Sequence, residues 1–335
     1  MEFKGANILS VEQFSIEDIR TILRVAETME PYALPQKKTR VLEGAILGNL
    51  FFEASTRTRL SFGAAFNRLG GSVRDVVGFQ FSSMAKGESI YDTSRVISGY
   101  VDILVVRHPQ EGSVLKFAQA TNIPVINGGD GAGEHPTQAL LDIYTVYKEK
   151  EKNFDKLNGL KIGMIGDLKH GRTVHSFSKL LSLFEDMKFI FVAPEQIQIP
   201  DKIVNQIKNA GHAVIQTDKL IEGISDVDVV YVTRMQEERF NEKENFSSYQ
   251  GYYTINRQIY DKYCYPQTII MHPLPRDSRP QSNELDNDLN NYKNLAIFRQ
   301  TDNGVPVRMA LFALLLGVVD KIQETESNVQ WYVPS

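Results

Sequence analysis

Residues 55–59, Ser-Thr-Arg-Thr-Arg, place three hydroxyls and two guanidiniums within five consecutive positions. They follow an apolar run, residues 45–52, and precede a helical pattern in residues 57–69, which is the order strand, turn, helix. Backbone N–H groups and the positive dipole end of a helix point out of such a turn. Together with hydroxyl and guanidinium donors they suit a doubly charged oxyanion, so the segment predicts a phosphate site. The alternative is a Ser/Thr helix cap followed by two solvated arginines.

Composition narrows the class of protein. A chain of 335 residues fits two domains, and its 42% hydrophobic and 23% charged residues are typical of a soluble globular protein. The formal net charge of −4 gives no electrostatic support for nucleic-acid binding. The single cysteine, Cys264, excludes an intrachain disulfide and a multi-cysteine metal site, and it suits a reducing compartment.

The sequence predicts no membrane partner. Residues 1–10 mix charged residues with few apolar ones, unlike a signal peptide. The longest apolar run, residues 309–319, is too short to span a bilayer and is typical of a buried helix. We therefore expect a cytoplasmic protein.

Short β-branched runs alternate with longer amphipathic ones along the chain. The strand candidates are residues 45–52, 73–77, 103–106, 124–127, 160–165, 189–192, 213–216, 227–232 and 268–271. The helix candidates are residues 57–69, 90–100, 112–120, 135–150, 173–184, 202–210 and 256–263. This alternation predicts an α/β protein with two doubly wound parallel-sheet domains. A lysine-rich stretch, residues 149–158, marks the domain boundary, and the asparagine-rich residues 283–294 are expected to form an exposed loop.

Cationic or imidazole side chains follow many of the predicted strands. In a parallel α/β sheet, ligands bind beyond the carboxyl ends of the strands. The turns that carry these side chains are residues 55–59, 107–109, 128–138, 166–173, 233–236 and 272–276. One arginine in such a turn is usually a solvated loop residue, but this clustering in an acidic protein predicts a site for an anionic ligand.

The sequence disfavours a nicotinamide site and a catalytic metal. Residues 160–167 contain Gly163 and Gly166 but lack the three-glycine dinucleotide fingerprint. The histidines include no pair with the i, i+4 ligand spacing within a carboxylate-bearing motif; His170 and His175 are five apart. We expect no cofactor and no metal.

Together, these turns resemble the signature segments of the aspartate/ornithine carbamoyltransferase superfamily. The likeness extends in order from about residue 10 to residue 319 and rests on residues 55–59, 107–109, 135–138, 166–176, 234–236 and 272–275. The Ser-Thr-Arg-Thr-Arg segment is specific to the superfamily. Residues 82–88, which carry a serine and a lysine, and the His-Pro-Leu-Pro stretch at 272–275 resemble the aspartate enzymes, because ornithine enzymes have a reactive cysteine at the latter place.

The resemblance implies transfer of a carbamoyl group from carbamoyl phosphate to the amino group of L-aspartate, a step of pyrimidine biosynthesis. It implies a carbamoyl-phosphate-binding domain, residues 1–150 with a C-terminal helix 304–322 packed back on it, and an aspartate-binding domain, residues 151–303. The residues implied on carbamoyl phosphate are Ser55, Thr56, Arg57, Thr58, Ser82, Lys86, Arg107, His135 and Gln138. Those implied on aspartate are Lys86, Arg172, Arg234, Gln236, Leu274 and Pro275. The implied catalytic residues are Arg57, Thr58, Lys86, Arg107 and His135.

Side-chain chemistry agrees with these implied roles. Thr58, Arg107 and His135 would donate to the carbamoyl oxygen, which gains charge in the transition state, and Gln138 would meet the carbamoyl NH2. Arginines suit the aspartate carboxylates because a planar guanidinium meets a carboxylate in two bonds.

The resemblance also assigns the attacking amine a partner. Pro273 and Pro275 have no backbone N–H donor. The resemblance implies that the Leu274 carbonyl holds the amine and that the Leu274–Pro275 bond is cis, as in relatives. The leaving phosphate would accept the proton, so no separate general base is expected.

A homotrimer with shared active sites is implied too, in which Ser82 and Lys86 enter the adjacent subunit's site. Regulatory chains or other pathway enzymes are further partners that the family allows. The alternatives are a carbamoyltransferase for another amino acid such as ornithine, and a non-catalytic anion-binding or assembly protein on this fold. Two segments depart from the family pattern: an insertion at residues 277–282, and a tail, residues 323–335, expected either to be disordered or to dock on a neighbour.

Overall fold

A computed structural model describes residues 1–78, 83–235, 251, 253–277, 279 and 282–331. The chain divides into two compact units: unit 1 comprises Met1–Leu140 and Asp302–Ser335, and unit 2 comprises Leu141–Thr301. The division falls inside the helix Pro136–Glu149, earlier than the boundary that the lysine-rich stretch indicated. The later turns of this helix group with unit 2 because Asp142 accepts hydrogen bonds there.

Strands and helices alternate along most of the chain. The strands are β1 (Lys37–Lys38), β2 (Ile46–Phe51), β3 (Ser72–Val77), β4 (Ile103–His108), β5 (Val125–Asp130), β6 (Lys161–Ile165), β7 (Lys188–Val192), β8 (Ala213–Thr217), β9 (Val229–Val232), β10 (Ile269–Met271) and β11 (Ser327–Asn328). The helices are α1 (Ile16–Ala33), α2 (Thr56–Arg68), α3 (Ile90–Ser98), α4 (Ser113–Gln119), α5 (Pro136–Glu149), α6 (Arg172–Leu181), α7 (Asp201–Asn209), α8 (Leu220–Ile224), α9 (Arg257–Tyr263), α10 (Ile297–Asp302) and α11 (Gly304–Leu315). The strands and helices expected from the sequence are confirmed, with ends that differ by a few residues. Within the described ranges, no helix has both the length and the apolar character needed to cross a membrane.

The main sheet of unit 1 is parallel, with the strand order β3-β2-β4-β5. Strands β2, β4 and β5 are almost entirely buried, as expected for parallel strands covered on both faces. Strand β3 lies at the edge and is largely exposed. This order brings the loops that follow β2, β4 and β5 next to one another at one edge of the sheet.

The C-terminal helix α11 packs on α1 and α2, which confirms that it returns to the first domain. The Phe312 ring meets the rings of Phe66 and Phe62 at centroid distances of 4.9 and 6.0 Å. The buried Arg308 guanidinium lies 4.7 Å from the Phe62 ring centroid and donates to the Ser61 hydroxyl at 2.7 Å. Aromatic and cation–π contacts thus anchor the returning helix on the helix that follows β2.

The C-terminal helix is shorter than expected: α11 ends at Leu315, not at residue 322. Gly317 adopts φ 65°, and its N–H donates to the Leu314 carbonyl while the Val318 N–H donates to the Ala313 carbonyl. This pair of bonds is a Schellman motif, in which a left-handed glycine ends the helix. A separate 3-10 helix, Val319–Thr325, follows.

The described part of the tail, residues 323–331, packs on its own chain and is ordered there, so the disordered alternative does not hold for it. Strand β11 pairs antiparallel with β1. The Glu326 carboxylate accepts hydrogen bonds from the Tyr32 hydroxyl at 2.6 Å and from Lys37 Nζ at 2.8 Å. The Thr39 hydroxyl donates to the Ile322 carbonyl at 3.0 Å.

Unit 2 contains a second parallel sheet, with the strand order β10-β9-β6-β7-β8. Helix α8 approaches the centre of this sheet closely, since a Cβ built on Gly163 would lie 1.9 Å from the Gly223 carbonyl oxygen. Two parallel α/β units therefore make up the chain, as the alternating pattern predicts.

The expectation of an exposed loop at residues 283–294 holds only in part, because several of its polar residues are exposed but the segment also contains a short 3-10 helix, Asn287–Leu289, and buried residues. Leu285 and Leu289 are 1% and 0% exposed and belong to the hydrophobic core of unit 2. Leu285 also forms a parallel bridge with Ile255. The segment is mostly polar, but these two leucines pack it against the sheet. Burying a leucine side chain stabilises the folded chain by about 1.5–3 kcal/mol.

Candidate active site

The turn between β2 and α2 has the expected strand, turn, helix order. Ser55 occupies the N-cap of α2 with φ −161° and ψ 107°, and among the described residues its side chain makes no capping hydrogen bond. The first turn of α2 contains no acidic residue. Its N–H groups and positive dipole end are therefore not neutralised by a carboxylate of its own first turn, which suits an anion.

Arg107 lies near the carboxyl end of β4, beside this turn. Its Nε is 3.1 Å from a carboxylate oxygen of Glu53, and one Nη donates to the Gly128 carbonyl at 3.4 Å. The Phe52 N–H donates to the Arg107 carbonyl at 2.9 Å. Side chain and backbone thus both tie Arg107 to the segment that precedes the turn at residues 55–59.

Glu53 was not among the residues expected in the site. Its position two residues before the Ser-Thr-Arg-Thr-Arg segment could have indicated a role. A carboxylate next to a turn that is expected to bind an anion needs a cationic partner.

His135 and Gln138 lie at the start of α5, which follows β5. The His135 carbonyl accepts the N–H groups of Gln138 and Ala139 at 3.1 and 3.3 Å, so His135 takes the N-cap position. His135 is 4% exposed, and Gln138 is half-buried. The structure thus brings the loops bearing residues 55–58, Arg107, His135 and Gln138 to one edge of the unit 1 sheet.

Two buried titratable residues, His108 and Asp130, pair at the ends of β4 and β5. Burial lowers the pKa of His108, whose Nδ1 accepts the Gln110 N–H at 3.0 Å, so the ring is neutral near pH 7. Burial raises the pKa of Asp130, which accepts the Gly112 N–H at 3.0 Å. Both side chains hold the loop after β4.

Lys86 is the last residue of a 3-10 helix, Ser83–Lys86, and its side chain is exposed. Ser82, predicted beside it, lies outside the described residues. An exposed position suits a group that acts outside its own chain, and it equally suits a solvated lysine.

Arg172 begins α6, just beyond the carboxyl end of β6, and is 5% exposed. The loop before it is held from both sides. Buried Asp167 accepts the His170 N–H at 3.0 Å, and His175 Nε2 donates to the Leu168 carbonyl at 2.7 Å. A buried arginine next to a loop that is fixed by hydrogen bonds is suited to binding a carboxylate, because its planar guanidinium can meet both carboxylate oxygens.

Arg234 follows β9, the neighbour of β6 in the sheet. It is half-buried, and one Nη donates to the Met235 carbonyl at 3.0 Å. The preceding Thr233 donates through its N–H and its hydroxyl to the Ile165 carbonyl, which ties the two strand ends together. A small pocket lies at these strand ends, lined by Gly166, Thr233 and Met235 among others. Gln236 lies outside the described residues.

The His-Pro-Leu-Pro stretch follows β10, and its Leu274–Pro275 bond is cis, as expected. The Leu274 N–H donates to His272 Nδ1 at 2.8 Å. His272 Nε2 lies 2.8 Å from a carboxylate oxygen of Glu284. Glu284 was not expected in the site, because its partner lies twelve residues away in the sequence and no helix or strand periodicity connects the two residues.

Of the residues that the resemblance implies, Ser55, Thr56, Arg57, Thr58, Lys86, Arg107, His135 and Gln138 belong to unit 1, and Arg172, Arg234, Leu274 and Pro275 belong to unit 2. Within the described ranges, no group of three or more His, Cys, Asp or Glu side chains is arranged to hold a metal ion. The chemistry available to these residues is anion binding and hydrogen-bond donation.

Two family models match the chain in succession. Residues 6–148 match aspartate/ornithine carbamoyltransferase, carbamoyl-P binding domain. Residues 158–315 match aspartate/ornithine carbamoyltransferase, Asp/Orn binding domain.

Similar proteins cover nearly the whole chain. A Saccharophagus degradans protein named aspartate carbamoyltransferase catalytic subunit is 60% identical over 332 residues, which are 99% of this chain and 98% of that protein. A Cellvibrio japonicus protein of the same name is 58% identical with the same coverage.

Solved structures share the fold. Aspartate transcarbamoylase from Trypanosoma cruzi, in complex with carbamoyl phosphate and aspartate, has a TM-score of 0.86 and 37% identity and covers 94% of this chain and 98% of its own. The catalytic subunit of M. Jannaschii aspartate transcarbamoylase has a TM-score of 0.83 and 40% identity, and it covers 96% of this chain and 99% of its own. Since both family models and these relatives match in order along the chain, it belongs to the aspartate/ornithine carbamoyltransferase family.

Proposed function

We propose that this chain transfers the carbamoyl group of carbamoyl phosphate to the amino group of L-aspartate, giving N-carbamoyl-L-aspartate and phosphate. The observation that carries the proposal is the match, over 99% of the chain at 60% identity, to a protein named for this activity. The anion-binding turns support it, because the reactants bring one phosphate and two carboxylates. The reaction is a step of pyrimidine biosynthesis, and a cytoplasmic location fits it.

Unit 1 supplies the carbamoyl phosphate residues in this proposal. The phosphate lies on the N–H groups and side chains of residues 55–58 at the start of α2. Thr58, Arg107 and His135 donate to the carbamoyl oxygen, and Gln138 meets the carbamoyl NH2. As the tetrahedral transition state forms, the oxygen gains negative charge, and donors already aimed at it lower the barrier.

Unit 2 supplies the aspartate residues. Arg172, Arg234 and Gln236 bind the two carboxylates, and Pro275 borders the amine. The Leu274 carbonyl accepts a hydrogen bond from the neutral amine and turns its lone pair toward the carbamoyl carbon. The new N–C bond forms as the C–O bond to phosphate breaks, and the leaving phosphate takes the amine proton.

Assembly completes the proposed site. The chain forms a homotrimer, in which Ser82 and Lys86 of one subunit reach the site of the next. The exposed position of Lys86 is compatible with this arrangement. An ammonium on a flexible stem is a point charge without fixed geometry, so it suits a group that arrives from a neighbour.

One assay tests the function and separates the alternatives. The purified chain is given carbamoyl phosphate with aspartate, ornithine or an uncharged amino acid, and both phosphate release and the carbamoylated product are measured. We expect turnover with aspartate and little with ornithine, because two arginines and an amide suit a dicarboxylate better than a cationic side chain. Preferred turnover of ornithine would contradict the assignment, and binding of carbamoyl phosphate without turnover would favour a non-catalytic anion-binding protein.

A further inference from the structure

The Leu274 backbone is held in an unfavourable conformation. Its φ is 58°, in the left-handed region that a leucine rarely adopts. Such a conformation persists only where the surrounding structure holds it. Pro273 and Pro275 have no N–H, so the Leu274 N–H is the only backbone donor in residues 273–275, and it donates to His272 Nδ1 at 2.8 Å.

This bond determines the tautomer of His272. Nδ1 accepts a hydrogen bond, so it carries no proton, and the ring proton is on Nε2. From Nε2 it is donated to a Glu284 carboxylate oxygen at 2.8 Å. Both side chains are buried, His272 at 1% and Glu284 at 7% exposure. Burial lowers the pKa of His272, which agrees with a neutral ring.

Glu284 also holds the other end of the turn. The same carboxylate accepts the Asp277 N–H at 3.1 Å. Residues 272–277 therefore form a loop closed by one buried carboxylate.

A second buried chain of hydrogen bonds fixes the His272 backbone. Its N–H donates to Gln300 Oε1 at 2.9 Å, and Gln300 Nε2 donates to an Asp142 oxygen at 2.7 Å. The other Asp142 oxygen accepts the Tyr231 hydroxyl at 2.8 Å. Because Asp142 accepts on both oxygens, it orients the Gln300 amide with its oxygen toward His272.

We propose that His272 and Glu284 are positioning residues for the reaction. Glu284 keeps the His272 proton on Nε2, the unprotonated Nδ1 holds the Leu274 N–H, and the Leu274 carbonyl is thereby kept aimed at the attacking amine. This inference rests on the proposed function, in which that carbonyl binds the amine of aspartate.

Two substitutions of His272 separate its two bonds. His272→Asn places an amide oxygen near the position of Nδ1, so the Leu274 N–H keeps an acceptor, whereas His272→Gln places its amide near Nε2 and loses that acceptor. We expect His272→Gln to lower kcat about 100-fold, the scale of a misplaced reacting group, and His272→Asn to lower it clearly less. Carbamoyl phosphate binding, measured by calorimetry, should remain as in the wild type for both.

A matched pair at Glu284 tests the carboxylate. Glu284→Ala leaves the ring proton without an acceptor and should lower kcat, while Glu284→Gln keeps an acceptor oxygen and should restore most of it. Glu195→Gln, at an exposed glutamate of the same unit, is the control and should behave as the wild type.

The tautomer itself can be read without activity. In ¹⁵N-histidine-labelled protein, the His272 signals, assigned by their loss in His272→Asn, should show a proton on Nε2 alone at neutral pH. A proton on Nδ1, or on both nitrogens, would overturn the proposal, as would wild-type kcat in His272→Gln or equal losses in the two His272 variants. Failure of the wild-type chain to carbamoylate aspartate would instead contradict the proposed function.

Discussion

The Arg107 guanidinium and the Glu53 carboxylate form an ion pair, 3.1 Å from Nε to oxygen, with only 11% of the arginine side chain and 29% of the glutamate side chain exposed. Glu53 lies between strand β2 and the turn at residues 55–59, and Arg107 belongs to the neighbouring strand β4. The ion pair therefore holds the Arg107 guanidinium of β4 beside the turn that follows β2. A planar guanidinium can meet Glu53 through Nε and still present its other nitrogens elsewhere.

Replacing Arg107 tests whether catalysis requires the planar guanidinium group or only a positive charge at this position. Arg107→Lys keeps a positive charge but lacks the planar donors, so kcat should fall by about 100-fold, as when one oxyanion donor is lost. Steady-state kinetics with aspartate and carbamoyl phosphate provide the measurement. Arg74→Lys, at an exposed position on the edge strand β3, is the control. A wild-type kcat in Arg107→Lys would show that a positive charge suffices at this position and that the planar guanidinium is not required.

Arg57→Ala should depress catalysis strongly. Arg57 lies in the first turn of α2, and in the proposed site it makes a charge-assisted contact to phosphate worth about 1.5–3 kcal/mol. Without it the leaving charge is uncompensated, so we expect kcat to fall. Arg68→Ala, at the far end of the same helix, should retain activity. Comparable kcat values for the two variants would remove Arg57 from the phosphate site.

Arg234→Ala should mainly weaken the binding of aspartate. Loss of one charge-assisted carboxylate contact of about 1.5–3 kcal/mol corresponds to a KM for aspartate that is at least about tenfold higher. The KM for carbamoyl phosphate should change little, because its contacts come from unit 1. Arg257→Ala, at an exposed arginine of unit 2, is the control. If aspartate saturation is unchanged in Arg234→Ala, the carboxylate pocket has been placed wrongly.

Mixing two inactive variants tests the shared site. Lys86→Ala and Arg57→Ala assemblies should each be nearly inactive. After subunit exchange, some activity should return, because one interface in a mixed trimer carries both wild-type residues. Mixed composition is verified by mass spectrometry of the intact assembly. If verified mixed trimers stay inactive, each site is built from one chain and Lys86 has another role.

Docking of the tail should depend on pH. Burial, and then the Glu326 partner, raises the pKa of Tyr32 from 10.0 to about 12. The folded chain thus holds the phenol proton more tightly than the unfolded chain, so this stabilisation is complete below pH 10 and is lost as the pH rises toward 12. Tyr32→Phe should lower Tm by roughly 2 °C near pH 8, a shift typical of a lost hydrogen bond in a chain of this size.

The pH series supplies the test of that linkage. Thermal unfolding of the wild type and of Tyr32→Phe is followed from pH 8 upward, and the difference in Tm should shrink above pH 10. A difference that stays constant across this range would show that the Tyr32 hydroxyl does not couple the tail to helix α1.

Local signals explain which elements were predictable. The apolar runs of β2 and β4 and the turn residues between β2 and α2 lie within a few positions of one another, so periodicity and turn chemistry were sufficient. Helix α1 was missed although Ser15 and Asp18 form a capping box, which was a usable signal. The loop at residues 283–294 was misjudged because composition outweighed two buried leucines.

By itself, the sequence determined the alternation of strands and helices, the two parallel sheets and the turns that carry the cations, because each depends on neighbours along the chain. The pairing of Arg107 with Glu53, the His272–Glu284 contact and the docking of Glu326 on Tyr32, 294 residues away, were decided only by tertiary structure. Each joins side chains that no periodicity connects. Their geometry arises when strands align in a sheet and loops close over it, since folding must first bring distant segments together before such bonds can form.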